Sequence, residues 1–247
     1  MKRSEQFISE QRVSTDMLRL ENATSYYGKT PILHDVSLSI GKGECLCILG
    51  RNGVGKTTLM QTIMGLTTSM TGTLLVDGAD MSNSPTSDRA LAGLGYVPQG
   101  RRILGQFTIR ENILLGTFAR ADGKRKIPEI CLSLFPFLAD NLDKKAGLLS
   151  GGQQQQLAIA RAIATDPKIL LLDEPTEGIQ PNIVADIQEA LQTLKKNFEI
   201  TLILTEQHIK IAKSMSDKYL ILDVGRVVNM GNSSQLTQTI IDKHLSI

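Results

Sequence analysis

Val36, Leu38 and Ile40 alternate with polar partners, a period of two that predicts a strand with one buried face. Gly41-Lys42-Gly43 then turns the chain into Cys45 to Leu49. That short unbroken apolar run is the kind a parallel sheet buries on both sides. The period changes at once: Leu59, Ile63 and Leu66 recur at helical spacing. A strand, a glycine-rich loop and a helix are therefore predicted in succession around Gly50 to Thr57. Thr73 to Val76, closed by Asp77-Gly78, predicts a further strand and turn. Regular structure is expected to begin near Leu18, because residues 1–16 are polar with only scattered apolar positions and read as a loosely held extension.

From about Arg101 to Ala164 no strand pattern is evident. Ile109 to Leu115 and Glu129 to Leu138 read as helices, and Gln153 to Ala164 is a strong helix former that Asp166-Pro167 stops. Strand signals resume at Lys168 to Leu172. Pro181 marks a helix start, with Ile183, Ile187, Leu191 and Leu194 on one face. Ile200 to Leu204 predicts another buried strand, and Tyr219 to Leu222 with Arg226 to Val228 predicts a hairpin through Asp223-Val224-Gly225. Strands alternating with helices around a helical middle imply an α/β fold with a mostly parallel sheet.

Composition narrows the functional classes. A chain of 247 residues holds one α/β domain with an inserted subdomain. Its formal charge of +2 and the short Lys124-Arg125-Lys126 run argue against nucleic acid as a partner. The longest apolar runs, Ile169 to Leu172 and Leu202 to Leu204, fall far below the roughly 20 residues that cross a bilayer. Any membrane role is expected to be peripheral. Cys45, Cys47 and Cys131 lack zinc spacing and read as small hydrophobes.

Three stretches carry chemistry. Gly50-Arg51-Asn52-Gly53-Val54-Gly55-Lys56-Thr57 has two glycines four apart followed by Lys and Thr. Such a loop lets backbone N–H groups converge on phosphate oxygens at a helix N-terminus. Lys56 would neutralise β- and γ-phosphates, and Thr57 would offer a hydroxyl to Mg²⁺, with Thr58 the next residue of the site. Ile169 to Glu174 is a buried strand that carries Asp173 to its C-terminal edge, where Asp173 would hold the Mg²⁺ shell and Glu174 would activate water. Leu149-Ser150-Gly151-Gly152-Gln153 lacks a lysine and cannot cradle a nucleotide by itself. Its serine and glycine N–H groups suit a γ-phosphate supplied from elsewhere.

Taken together, these stretches resemble the ATP-binding subunits of ABC transporters, over about Leu18 to Gly231. The resemblance implies a P-loop NTPase (RecA-like) core, an antiparallel β subdomain and an inserted helical subdomain near 101–164, within a cassette of residues 17–247. It implies ATP and Mg²⁺ as ligands, Tyr27 as the adenine-stacking aromatic, and Gln99 as the glutamine reaching Mg²⁺ and water. Ser150 to Ala158 and Asp173 to Pro181, with the loop at Gly50, resemble the smaller urea-importer ATPase especially. The branched-chain amino acid importer ATPase is the alternative.

Two positions depart from the general family pattern. Gln180 stands where an aspartate is expected, and Gln207 where a histidine contacts the γ-phosphate. An amide can donate a hydrogen bond there but carries no charge. His208 follows one residue later, a shift that redirects its side chain. The implied partners are a second ATPase subunit, in a heterodimer or alternatively a homodimer, two membrane permease subunits, and indirectly an extracytoplasmic solute-binding protein. The implied location is the cytoplasmic face of the plasma (inner) membrane. A soluble ABC-type ATPase acting on DNA or ribosomes is disfavoured, because Thr57 to Asp173 holds neither heptads nor paired cysteines.

Overall fold

The computed structural model describes residues 16–245. The polar extension expected over residues 1–16 therefore lies outside the described residues, except that Asp16 already opens the first strand. A hairpin of β1 (Asp16–Tyr27) and β2 (Thr30–Gly41) leads into β3 (Cys45–Leu49) and helix α1 (Lys56–Met64). The chain continues through β4 (Ser69–Val76), β5 (Ala79–Asp80), α2 (Thr86–Leu91) and β6 (Leu94–Val97). Four helices follow: α3 (Ile109–Gly116), α4 (Glu129–Ser133), α5 (Pro136–Asp140) and α6 (Gly151–Ile163). Then come β7 (Ile169–Asp173), α7 (Pro181–Phe198), β8 (Thr201–Glu206), α8 (Ile209–Met215), β9 (Lys218–Asp223), β10 (Arg226–Asn232) and α9 (Gln238–His244).

The strands form two sheets. One is antiparallel, in the order β2-β1-β4-β5, and its last turn is the predicted Asp77-Gly78, both residues at positive φ. A two-residue loop of that kind matches the twist of the flanking strands. The other runs β10-β9-β3-β8-β7-β6 and is parallel except for the β9–β10 hairpin.

The parallel sheet separates two apolar cores, and its strands alternate between them. Cys45, Cys47 and Leu49 of β3 join one core with Leu170, Leu172, Leu202 and Leu204. Leu46 and Ile48 join the other with Ile169, Leu171 and Ile203. The first core is closed by α6 and α7, the second by α1 and the antiparallel sheet. This is why the central strands read as unbroken apolar runs: both faces are buried. All three cysteines are buried, and burial pushes the Cys45 and Cys131 thiols up to about 12, as befits inert core residues.

Besides the helices α2, α8 and α9, for which the periodicity gave no signal, the structure departs from the sequence reading in four places that have a local cause. Helix α1 stops at Met64 because Gly65 takes a left-handed cap, which leaves Leu66 exposed rather than on the helical stripe. The helix expected over Glu129 to Leu138 is two short ones, since Pro136 lacks the N–H that a continuous helix needs. Helix α6 starts at Gly151, two residues before the predicted Gln153, because Ser150 caps it. Strand β6 was not anticipated: four residues including Gly95 are too few to show a period, and pairing with β7 organises them.

Candidate nucleotide site

The loop after β3 is shaped by close packing. A Cβ on Gly50 would lie 2.5 Å from the Leu222 carbonyl oxygen, so only glycine lets β3 leave the sheet against β9. Gly55 caps α1 at φ 109°, a conformation that L side chains rarely adopt. No side chain caps α1 and no acid stands in its first turn, so the N–H groups and positive dipole end there suit an anion. Asn52, Gly55, Lys56, Thr57, Thr58, Gln99 and Glu174 are among the residues lining a cleft of about 260 Å³. Arg51 is exposed and Val54 packs into the core beneath.

Lys56 is almost fully buried. Its Nζ donates to the carbonyl oxygens of Gly50 (2.9 Å) and Arg51 (3.1 Å) and pairs with Glu174 Oε1 at 3.2 Å. Two amides converge on the same carboxylate: Gln99 Nε2 donates to Oε2 (3.1 Å) and Gln207 Nε2 to Oε1 (3.0 Å). Gln99 also donates to Glu177 at 2.9 Å. Glu174 itself sits at φ 48°, just past the end of β7, and its N–H donates to Thr205 Oγ1 at 2.8 Å. Thr205 Oγ1 in turn donates to Asp173 Oδ1 at 2.7 Å. Three loops on three strand ends are thereby tied to one acid pair.

The donor set fits a magnesium ion. Asp173 Oδ2 is buried without a hydrogen-bond partner of full geometry, although the Thr57 hydroxyl lies near enough to favour the carboxylate. Burial pushes the Asp173 carboxyl above its usual range, opposed by Thr205 and Thr57. One carboxylate plus one hydroxyl beside a phosphate loop is the partial shell that Mg²⁺ completes with substrate oxygens. Gln99 is held by Glu174 and Glu177 rather than turned to Asp173.

The other predicted residues fall elsewhere. Tyr27, at the end of β1, is partly exposed and its hydroxyl donates to Gln61 of α1, which leaves a ring face at the surface. Ser150 and Gln153 form a reciprocal cap at the start of α6, with Gly151 and Gly152 in its first turn and Leu149 packed in the core. Among the described residues, those lining the Lys56 cleft include none from Leu149 to Gln153. His208 is exposed at the start of α8, and Gln180 at the start of α7.

Several participants were not singled out from sequence. Thr205, Glu206 and Thr176 carry polar groups into a buried region, and the visible signal was a Thr-Glu pair closing an apolar strand. Arg101 and Arg102, both at positive φ, follow Gln99 and are gripped by Arg161 of α6, whose Nη2 donates to their carbonyl oxygens at 3.3 and 2.9 Å. The segment beyond Gln99 is thus fastened to the helix that Ser150 caps.

Comparison with known proteins agrees with this geometry. The family model described as ABC transporter matches residues 33–177, more than half of the chain. The chain is 37% identical over 213 residues to the high-affinity branched-chain amino acid transport ATP-binding protein BraG of Pseudomonas aeruginosa, covering 86% of this chain and 91% of that one. It is 32% identical to the probable branched-chain amino acid transport ATP-binding protein LivF of Archaeoglobus fulgidus, covering 90% and 94%. Among solved structures, the dimeric post-hydrolysis cassette MJ0796 bound to ADP and Pi superposes with a TM-score of 0.76 at 27% identity, covering 88% and 99%. The phosphate loop at the end of β3, the acid pair at the end of β7 and these matches lead to one conclusion: the chain belongs to the ABC transporter family, as an ATP-binding subunit of the kind that hydrolyses ATP.

Proposed function

We propose that this chain energises import of a branched-chain amino acid through membrane permease subunits, by binding and hydrolysing ATP at the Lys56 cleft. The observation that supports the catalytic part is the convergence of Lys56, Gln99 and Gln207 on Glu174. Lys56 and the N–H groups of α1 hold the β- and γ-phosphates, and Tyr27 offers its ring to the base. Glu174 accepts a proton from water as its oxygen bonds to the γ-phosphorus. The bond from that phosphorus to the β-phosphate bridging oxygen breaks, giving ADP and phosphate. Thr57 and Asp173 would hold Mg²⁺, which would supply charge neutralisation at the phosphates. Gln207 donates a hydrogen bond to the γ-phosphate without a charge of its own.

Ser150 to Gln153 serve a second ATPase subunit rather than the Lys56 cleft of the same chain. The separation of the two within one chain and the dimeric form of the similar MJ0796 cassette support this reading. A different ATPase as partner, an extracytoplasmic solute-binding protein and docking at the cytoplasmic membrane face complete the proposal. Among the described residues no helix is long and apolar enough to cross a membrane, so attachment would run through permease subunits.

The solute assignment draws its support from BraG and LivF. Urea is the second reading, drawn from the loop at Gly50, Ser150 to Ala158 and Asp173 to Pro181. The deciding experiment reconstitutes the chain in liposomes with the ATPase, permease and binding-protein products of neighbouring reading frames. ATP-driven uptake of labelled leucine without uptake of urea is expected. Urea uptake alone would overturn the amino-acid assignment.

A further inference from the structure

Glu206 is a buried acid for which ATP chemistry has no direct use. It ends β8, is 2% exposed, and lies next to Gln207 in sequence. Its Oε1 accepts from Thr176 Oγ1 at 2.7 Å, and Thr176 is itself 6% exposed. Burial raises the Glu206 carboxyl above its usual range, while the Thr176 hydroxyl and the backbone N–H groups of His208 and Gln207 favour its charged form. A carboxylate so deeply placed is tolerated only where donors surround it.

Thr176 lies two residues after Glu174, in the loop that runs to Gln180 and α7. Gln207 donates to Glu174 from the opposite strand end. The Glu206–Thr176 bond therefore joins the two loops that flank the acid, 30 residues apart in sequence. From this we infer that Glu206 is a positioning residue: through Thr176 it holds the loop after Glu174 and the Gln207 turn as one unit. Neither side chain lines the nucleotide cleft, so each acts through Glu174 and Gln207. The loop from Thr176 to Gln180 belongs to that unit. That loop leads directly into α7, whose Ile183 packs against Gly152 of α6. The unit around Glu174 is thus joined by chain and contact to the helix that presents Ser150.

The inference rests on the roles proposed for Glu174 and Gln207, and its test separates the two. Steady-state ATPase kinetics are measured for Thr176→Val, Thr176→Ser, Glu206→Met, which has no acceptor oxygen, and the Thr176→Val/Glu206→Met pair, beside Glu174→Gln. Thr176→Val and Glu206→Met are each expected to lower kcat about tenfold, with KM for ATP within about twofold. Thr176→Ser, which keeps the hydroxyl, should retain kcat. The double variant should be no slower than the slower single variant, because both remove one bond. Wild-type kcat in Thr176→Val, additive losses, or a loss carried by KM would overturn the inference. If Glu206→Met fails to fold, the Thr176 pair still decides it, since Val and Thr are nearly isosteric. Full turnover by Glu174→Gln would instead remove the reading of the acid itself.

Discussion

Replacing Glu174 by Gln keeps the length of the side chain and one acceptor oxygen while removing the charge that Lys56 faces. Both partners are nearly buried, at 4% and 7% side-chain exposure, and stand 3.2 Å apart. The lysine would retain the carbonyls of Gly50 and Arg51, so its ammonium is not stranded. Losing the charged partner should therefore cost the nucleotide-free protein about 1–2 kcal/mol. For a domain of this size, about 2–4 °C of Tm accompanies each kcal/mol, so a fall of about 2–8 °C is expected.

With ATP the balance reverses. Phosphate replaces the carboxylate as the partner of Lys56, and ATP at 100 times its Kd adds about 2.7 kcal/mol to either form. The variant is expected to bind ATP at least as well as the wild type. Turnover is another matter, since an amide cannot take a proton from water; loss of a general base lowers kcat by roughly 10²–10⁴. Thermal melts with and without ATP, together with phosphate release in single-turnover mode, measure both effects on one preparation. Phosphate release within about tenfold of wild type, or an ATP affinity that falls in step with turnover, would refute the assignment.

Two further outcomes are expected. Burial raises the Asp173 carboxyl, so the folded state holds a proton that the unfolded state has released as pH climbs above the ordinary carboxylate range, and stability falls across that window. Asp173→Asn should accordingly stabilise the metal-free protein at pH 8 but not at pH 3, while abolishing Mg²⁺-dependent hydrolysis; urea melts showing an equal gain at both pH values would contradict this. Gly116 lies where α3 crosses α6, and a Cβ there would sit 2.0 Å from the Arg161 carbonyl oxygen. Gly116→Ala should force the helices apart at a cost of about 1–3 kcal/mol, lowering Tm by about 2–12 °C, and an unchanged melt would show that the crossing yields freely.

Local chemistry was legible in the chain itself. The phosphate loop is contiguous, so its glycines, Lys56 and Thr57 declare the strand–loop–helix turn without help from distant residues. Asp173 and Glu174 were visible for the same reason, as acids closing an apolar run. The cap of α6 was legible because Ser150 and Gln153 lie one helical turn apart. What surrounds Glu174 was not. Gln99 stands 75 residues away and Gln207 33 residues away, and only the order of strands in the parallel sheet delivers both to one carboxylate. Strand β6 escaped notice because pairing with β7, rather than any period of its own, makes it a strand. The Glu206–Thr176 bond was hidden likewise. Periodicity reports which face of an element is buried, whereas the partner met at a strand end depends on how the whole sheet is threaded. Chain order thus determined the parts of the site that are local, and the tertiary structure decided which distant side chains hold them.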